Sequence, residues 1–357
     1  MSEILEIDGS VLEGGGQILR NTISLSAILG IPVRVFNIRA GRSKPGLAGQ
    51  HLKGIELVAE MCKAKLKGAN LGSTEIEFIP GKIKGGHYVA DTRTAGSISL
   101  LLQVALPCAL LADSPVTLDL KGGTNADMAP QIDYMDKVFK SHLKRFGGDF
   151  SMEIIRRGYF PRGGGHVRVE VTPVRSFHSI TVLERKELQS IDGWSFVAGV
   201  LPVKVAYQMS DGAKAELRGY SPNIHSYKED QSVAKDNCAG IILSASFSSG
   251  CVLGSDGLCS RGFDKHEAGR KAAEPLRKIL ENSKACVDAH AQDQIILYMC
   301  LASGQSSVLV GDVTLHTHSA IHIAETIAKV KFTIRPEGSD NIIECNGLGF
   351  LNNNILE

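Results

Sequence analysis

One order of elements, helix then strand then polar loop then helix then strand, recurs three times along this chain of 357 residues, and the recurrence narrows the possible folds more than any single motif does. In the first round a strand at Ile4 to Ile7 leads into Leu12-Glu13-Gly14-Gly15-Gly16-Gln17-Ile18-Leu19-Arg20, and the apolar spacing that follows is helical as far as Leu29, where Gly30 ends it. A strand from Val33 to Ile38 opens the loop RAGRSKPGLAGQH, with a helix from about Leu52 to Leu66 and a strand near Thr74 to Phe78 behind it. The second round runs from Asp91-Thr92-Arg93-Thr94-Ala95-Gly96-Ser97 into a buried helix through Leu111. Strand Val116 to Leu120, the loop KGGTNADMAPQ, a helix from Ile132 to Phe146, and strands around Phe150 to Arg156 and His166 to Val171 follow. The third begins with a helix from Ala291 through Ala302, then strand Ser307 to Val310, a histidine-bearing loop, a helix from Ser319 and strand Lys331 to Ile334. Gln17 and Arg39 are about as far apart as Asp293 and His316, as tandem copies of one supersecondary unit require. Such copies bring three equivalent loops together, one with arginines, one with glycine and asparagine, one with histidine. The competing reading is coincidence among common α/β segments.

The rounds occupy about 1–85, 86–185 and 284–357, leaving 186–283 as a different piece. It holds the only tryptophan, Trp194, an apolar helix near Val197 to Gln208, a charged loop at His225 to Lys235, a strand at Gly240 to Phe247 and a helix from Lys265 to Leu280. Glycine and serine at 248–250 and 254–257 punctuate it as hairpin turns. It reads as a small α/β domain inserted in the larger one, an add-on rather than part of the site. Thirty-nine basic against 38 acidic residues leave a net charge of +1, so a polyanion site must be local rather than a property of the whole surface. Eight cysteines without a C-x-x-C pair argue for reduced thiols and against a zinc knuckle or a disulfide framework. The acidic start is neither a signal nor a transit peptide, and the apolar run Ile98 to Leu111 is too short to span a bilayer, so a cytoplasmic or nuclear rather than secreted protein is expected, with no membrane partner.

The histidine loop carries the most pointed chemistry. Alternation in Val313-Thr314-Leu315-His316 suggests a strand with His316 on its polar face, and Thr317 or Ser319 is placed to cap the helix that follows. An imidazole beside the free N–H groups of a helix N-terminus is placed to attack phosphorus; the plainer alternative is a strand-end histidine bonded to a neighbour. Glu13 to Arg20 is glycine-rich where strand passes into helix, which suits either a tight turn or close approach of backbone to phosphate, with Gln17 and Arg20 on the first turns and Glu13 better matched to a magnesium ion. Arg39, Arg42, Gln50 and His51 form a basic loop that fits a phosphorylated polynucleotide end or simply faces water. Asp293 is placed either as an N-cap or as an acceptor for a ribose hydroxyl or an adenine amino group. No G-x-x-x-x-G-K-[ST], G-x-G-x-x-G or K-x-D-G occurs, so the common nucleotide-binding loops are excluded.

Together, E-G-G-G-Q-I-L-R, R-A-G-R-x-x-P-G-L-x-x-Q-H and T-L-H-T before a late helix resemble the RNA 3'-terminal phosphate cyclases over essentially the whole chain. The resemblance implies an α/β (α+β) fold: a large domain of three repeated βαβαββ-like units, with the smaller inserted domain thioredoxin-like in topology but lacking the C-x-x-C. It also implies a reaction in which the family's histidine, here His316, takes AMP from ATP, passes it to an RNA 3'-phosphate, and the 2'-oxygen then displaces AMP to leave a 2',3'-cyclic phosphate. Gln103, Pro130, Asp293 and Gln294 match ATP-pocket positions, and His290 falls where an aromatic under the adenine is expected. Gln17, Arg20, Arg39, Arg42, Gln50 and His51 match contacts to the RNA phosphate end, and Glu13 matches the contact to a divalent metal, magnesium or manganese. Two rivals share the fold: a catalytically inactive cyclase-like factor in ribosome assembly, and an enolpyruvyl transferase, which needs no covalent histidine.

Overall fold

The computed structural model describes residues 3–355, so the outermost residues of the expected first and third units lie outside it. Four four-stranded sheets organise the described residues, and three of them have one topology. In the first, β1 (Leu5–Asp8) and β2 (Val33–Phe36) run parallel, linked by α1 (Gly16–Leu29); α2 (Gly49–Cys62) then leads to the antiparallel pair β3 (Lys65–Lys67) and β4 (Ile76–Ile79), in order β1-β2-β4-β3. The second repeats this with β5 (Gly86–Asp91), α3 (Ile98–Leu110), β6 (Val116–Gly122), helix α4 over 132–145, β7 (Ser151–Arg156) and β8 (Gly165–Val171), in order β5-β6-β8-β7. The turns at Met135–Phe139 of α4 are wound as π-helix.

The third unit is built from chain on both sides of the insert. Its first strand, β9 (Thr181–Val182), precedes the insert and pairs parallel with β14 (Ser303–Val310), while β15 (Phe332–Glu337) and β16 (Asp340–Leu348) complete the order β9-β14-β16-β15. Its helices are α7 (Ala289–Leu301) and α8 (Leu315–Ala328). The insert between β9 and α7 holds the fourth sheet: β10 (Leu188–Ala198), α5 (Lys204–Glu216), β11 (Asn223–Lys228), β12 (Cys238–Phe247), β13 (Val252–Leu258) and α6 (Lys265–Asn282). Order β11-β10-β12-β13, with only β10 and β11 parallel, is a thioredoxin-like arrangement.

Several expectations give way to these elements. The segment around His316 is not a strand: Thr314 caps α8, its hydroxyl accepting from the Thr317 amide at 3.1 Å, so His316 lies in the first turn and neither Thr317 nor Ser319 is the cap. Four alternating residues fit a helix entrance as well as a strand, and the capping threonine decides. The second helix ends at Cys62, where Lys63 turns left-handed with φ +50°, and Lys65–Lys67 is strand. In the insert, Val197 and Ala198 end a long strand and the helix starts at Lys204, while Gly254 and Gly257 lie inside β13, not in a turn; the hairpin turn at 248–250 stands.

Helices fill the interior of the molecule. Helix α1 packs against α2, α3 and α8, and α7 against α8, so the units share one aliphatic core of residues such as Ile23, Leu101, Leu106, Ile295 and Ile323, all at most 1% exposed. The sheets flank it, and outer strands such as β15 keep mostly exposed side chains. All eight cysteines are free thiols, and no described helix is long and apolar enough to cross a membrane.

Candidate active site

In a βαβαββ unit both helices start at the carboxyl ends of the parallel strands, and this chain turns that rule into a site. A cleft of about 990 Å³ is lined by Gly16 and Gln17 of α1, Gln50 and His51 of α2, Ser97 at the N-cap of α3 and Leu100 within it, Pro130 before α4, Ala289, His290 and Asp293 of α7, and His316 of α8. The entrances of all six helices of the repeated units therefore face one space. Each N-terminus carries unsatisfied N–H groups and the positive end of a dipole, so the cleft is built for anions although the chain is nearly neutral.

Each entrance has its local cause. Helix α1 begins at Gly16 with Gly15 at the N-cap and no side chain covering its amides. Glycine leaves room there for the cleft's side chains: a Cβ on Gly15 would lie 2.3 Å from the Glu13 carboxylate, and one on Gly16 would lie 2.6 Å from Nε2 of His51, so a larger residue would push those groups aside. At α2, Nδ1 of His51 accepts from the Ala48 amide at 3.3 Å, and the Gln50 side-chain oxygen accepts from the Ser97 amide at 3.1 Å, tying the first unit's loop to the start of α3. At α8, Gln292, which is 1% exposed, accepts from the Thr314 amide at 3.0 Å and from the Thr317 hydroxyl at 2.6 Å, and donates to the Asp312 carbonyl at 3.3 Å. Ser319 fixes the other side, accepting from the Glu13 amide at 3.2 Å. The turn bearing His316 is thus held to α7 and to the glycine loop, while the ring itself is exposed to the cleft.

The charged groups respond to this enclosure. Burial lowers the Arg20 guanidinium to about 10, opposed by Asp293, and its Nε has no partner; its terminal nitrogen donates to the Gln17 side chain. Burial lowers His51 to about 4, with Arg20 and Arg39 adding to the effect, so its ring is neutral near pH 7. Burial raises the Asp293 carboxyl to about 6, against the pull of Arg20, His316 and His290. Arg39 has a left-handed backbone with φ +53° and donates to the Gly46 carbonyl at 2.7 Å, while Arg42 pairs with one oxygen of Glu13 and leaves the other oxygen buried without a partner. Glu13 and Arg20 thus each keep a buried polar atom without a partner in the chain.

Nearly all the residues singled out in the sequence therefore line the one cleft: Glu13, Gln17, Arg20, Arg39, Arg42, Gln50, His51, Gln103, Pro130, His290, Asp293 and His316. Gln294 is set apart. Its amide donates to the His290 carbonyl at 2.6 Å, and its side chain faces a small adjoining hollow lined also by Gln17, Arg20 and Gln103. Asp293 is not an N-cap; Asp288 caps α7, accepting from the amides of His290 at 2.9 Å and Ala291 at 3.0 Å. His290 stands edge-on to Tyr134 with centroids 5.6 Å apart.

The insert also reaches the cleft, through Asp256 of β13, whose carboxylate accepts from the Gln131 amide at 2.8 Å, so the insert is no detached add-on. Met128 and Phe160 line the cleft as well. No local pattern announced these three, because their place depends on contacts remote in sequence.

Comparison with known proteins agrees with the geometry. Residues 11–334 match the family model described as RNA 3'-terminal phosphate cyclase. An RNA 3'-terminal phosphate cyclase of Drosophila melanogaster is 41% identical over 355 residues, covering 98% of each chain, and one of Pyrobaculum aerophilum is 39% identical over 346 residues, covering 97% of this chain and 99% of the other. Among solved structures, the enolpyruvyl transferase NikO from Streptomyces tendae overlaps 98% of this chain and 49% of its own at 10% identity, with a TM-score of 0.40 that bears no weight here. The family model and these relatives, taken with the cleft, establish that the chain belongs to the RNA 3'-terminal phosphate cyclase family.

Proposed function

We propose that the protein uses ATP to convert an RNA 3'-phosphate into a 2',3'-cyclic phosphate, with His316 carrying AMP between the two substrates. A ring nitrogen of His316 attacks the α-phosphorus of ATP; an N–P bond forms, the bond to the bridging oxygen breaks, and pyrophosphate leaves. An oxygen of the RNA 3'-phosphate then attacks the same phosphorus, the N–P bond breaks, and RNA(3')pp(5')A results. Last, the adjacent 2'-oxygen attacks the RNA phosphorus, gives up its proton, and expels AMP. The covalent step divides one hard transfer into easier ones.

The observation that carries this reading is an exposed imidazole in the first turn of α8, inside a cleft ringed by helix N-termini and by Arg20, Arg39 and Arg42. Those fixed positive groups stabilise negative charge on the phosphoryl oxygens as it builds up. The neutral ring of His51 and the guanidinium groups of Arg39 and Arg42 suit the RNA phosphate, while His290, Pro130 and Asp293 on the other elements suit the nucleoside. Glu13 is the group that would hold a divalent cation: one oxygen is without a partner, and no cage of three or more His, Cys, Asp or Glu groups exists among the described residues, so phosphate and water would supply the other ligands, as is usual for magnesium. When bound, the cation adds positive charge beside the phosphates.

RNA labelled in its 3'-phosphate tests the reaction. Incubation with the protein and ATP should make the label resistant to phosphatase, and omission of ATP should leave it sensitive. A label that stays sensitive while the protein binds ATP would overturn the proposal and favour an inactive factor.

A further inference from the structure

Two large apolar side chains stand in solvent on the cleft wall: Phe160 is 77% exposed and Met128 is 95% exposed. The two sit on different kinds of backbone. Met128 has φ +61°, a left-handed backbone that strains any residue with a side chain. Phe160 rides on a strut pinned on several sides. The Gly163 amide donates to the Tyr159 carbonyl at 2.7 Å, the Gly158 amide to the Thr124 hydroxyl at 3.2 Å, and the Arg157 amide to the Val233 carbonyl at 2.8 Å. The guanidinium of Arg157 is held by Asp133 at 2.5 Å and by Glu229 at 3.0 Å. Gly163 passes so close to the chain before α3 that a Cβ there would lie 2.0 Å from the Thr94 carbonyl oxygen. An aromatic ring carried on a backbone pinned this firmly, and itself open to solvent, offers its face to a flat partner.

We propose that Phe160 and Met128 form a platform for a nucleobase of single-stranded RNA whose 3'-phosphate occupies the arginine end of the cleft. The inference rests on the proposed function, and two observations select this occupant. The platform is continuous with the cleft already read as the site of the RNA end, and exposed cations lie beside it in the chain: Arg93 precedes the Thr94 contact, and Arg162, 80% exposed at its side chain and paired with Asp236 at 3.3 Å, follows Phe160 by two residues. Cations for the strand's phosphates next to an aromatic face for its bases is the usual construction of a single-strand site, and stacking tolerates any base because each has a π-face. The rival occupant is the adenine of ATP.

The test pairs Phe160→Ala with Phe160→Trp in the full chain. Binding of a fluorescent single-stranded RNA hexamer with a 3'-phosphate is read by anisotropy, and self-labelling by α-labelled ATP is read without RNA. Phe160→Ala should weaken RNA binding roughly tenfold, the size expected for one lost stack, and Phe160→Trp should keep it. The KM for ATP in self-labelling should hold in both. Unchanged RNA binding in Phe160→Ala would overturn the platform, and a raised KM for ATP would give the ring to adenine instead. Because binding needs no turnover, failure of the wild type to cyclise RNA would sink the proposed function while leaving this result readable.

Discussion

Asp293 shows what the cleft does to a single residue. Its carboxyl is raised from 3.8 to about 6, chiefly by burial, so ionising it costs more in the folded chain than in the unfolded one. Between about pH 4 and pH 6 the folded chain holds the extra proton and loses stability as pH rises; the cost is complete above 6 and absent below 4. That gap corresponds to about 3 kcal/mol as an upper bound. Asp293→Asn should therefore raise the thermal midpoint at pH 7.5 and change it little near pH 4, while impairing use of ATP. Thermal melts of both proteins at the two pH values check this, and a lower midpoint for the variant at pH 7.5 would contradict it. At this scale the sequence was informative: chemical type and motif pointed to Arg20, Arg39, His51 and His316. It was silent on Met128 and Phe160, which have no motif and whose exposure is fixed by the three-dimensional path of the chain.

Among the elements, the entrance to α8 decides whether His316 is aimed. Gln292 meets three groups of the 312–317 turn, and neither the backbone amide of Thr314 nor the carbonyl of Asp312 has a substitute partner on that side. Gln292→Met fills similar volume with an apolar chain and removes all three bonds. We expect the rate of His316 nucleotidylation to fall roughly 10- to 100-fold, as small misplacements of a reacting group do, with the KM for ATP close to wild type. Single-turnover labelling over a range of ATP concentrations separates the two, and a raised KM at an unchanged rate would refute a positioning role. The long helices and their order were legible because a period near 3.6 persists over many residues. The strands β3 and β9 were not, since two or three residues carry no period, and the α8 entrance was misread as strand because Thr314 looks alike as a strand residue and as a cap.

Across the whole molecule, one buried carboxylate beside the cleft is among the groups that join the insert to the repeated units. Asp288, 2% exposed, accepts from the Tyr134 hydroxyl at 2.6 Å, the Gly254 amide at 2.8 Å and two amides of its own helix, so α4, β13 and α7 meet on it. Asp288→Ala strands those donors and should destabilise the protein by about 3 kcal/mol or more, read as a lower midpoint in urea unfolding; a midpoint equal to wild type would show the junction to be held elsewhere. The threefold repeat was readable from spacing alone. The insert's share in the cleft was not, because Asp256 reaches it only after more than 100 intervening residues have folded back to Gln131. What unites the molecule is convergence of six helix entrances on a histidine, and labelling with ATP marked at its α-phosphorus tests that most directly. The account predicts an acid-labile label confined to the peptide containing His316 and absent from His316→Ala. A wild-type protein that binds ATP but stays unlabelled, or a variant that labels as well as wild type, would contradict it.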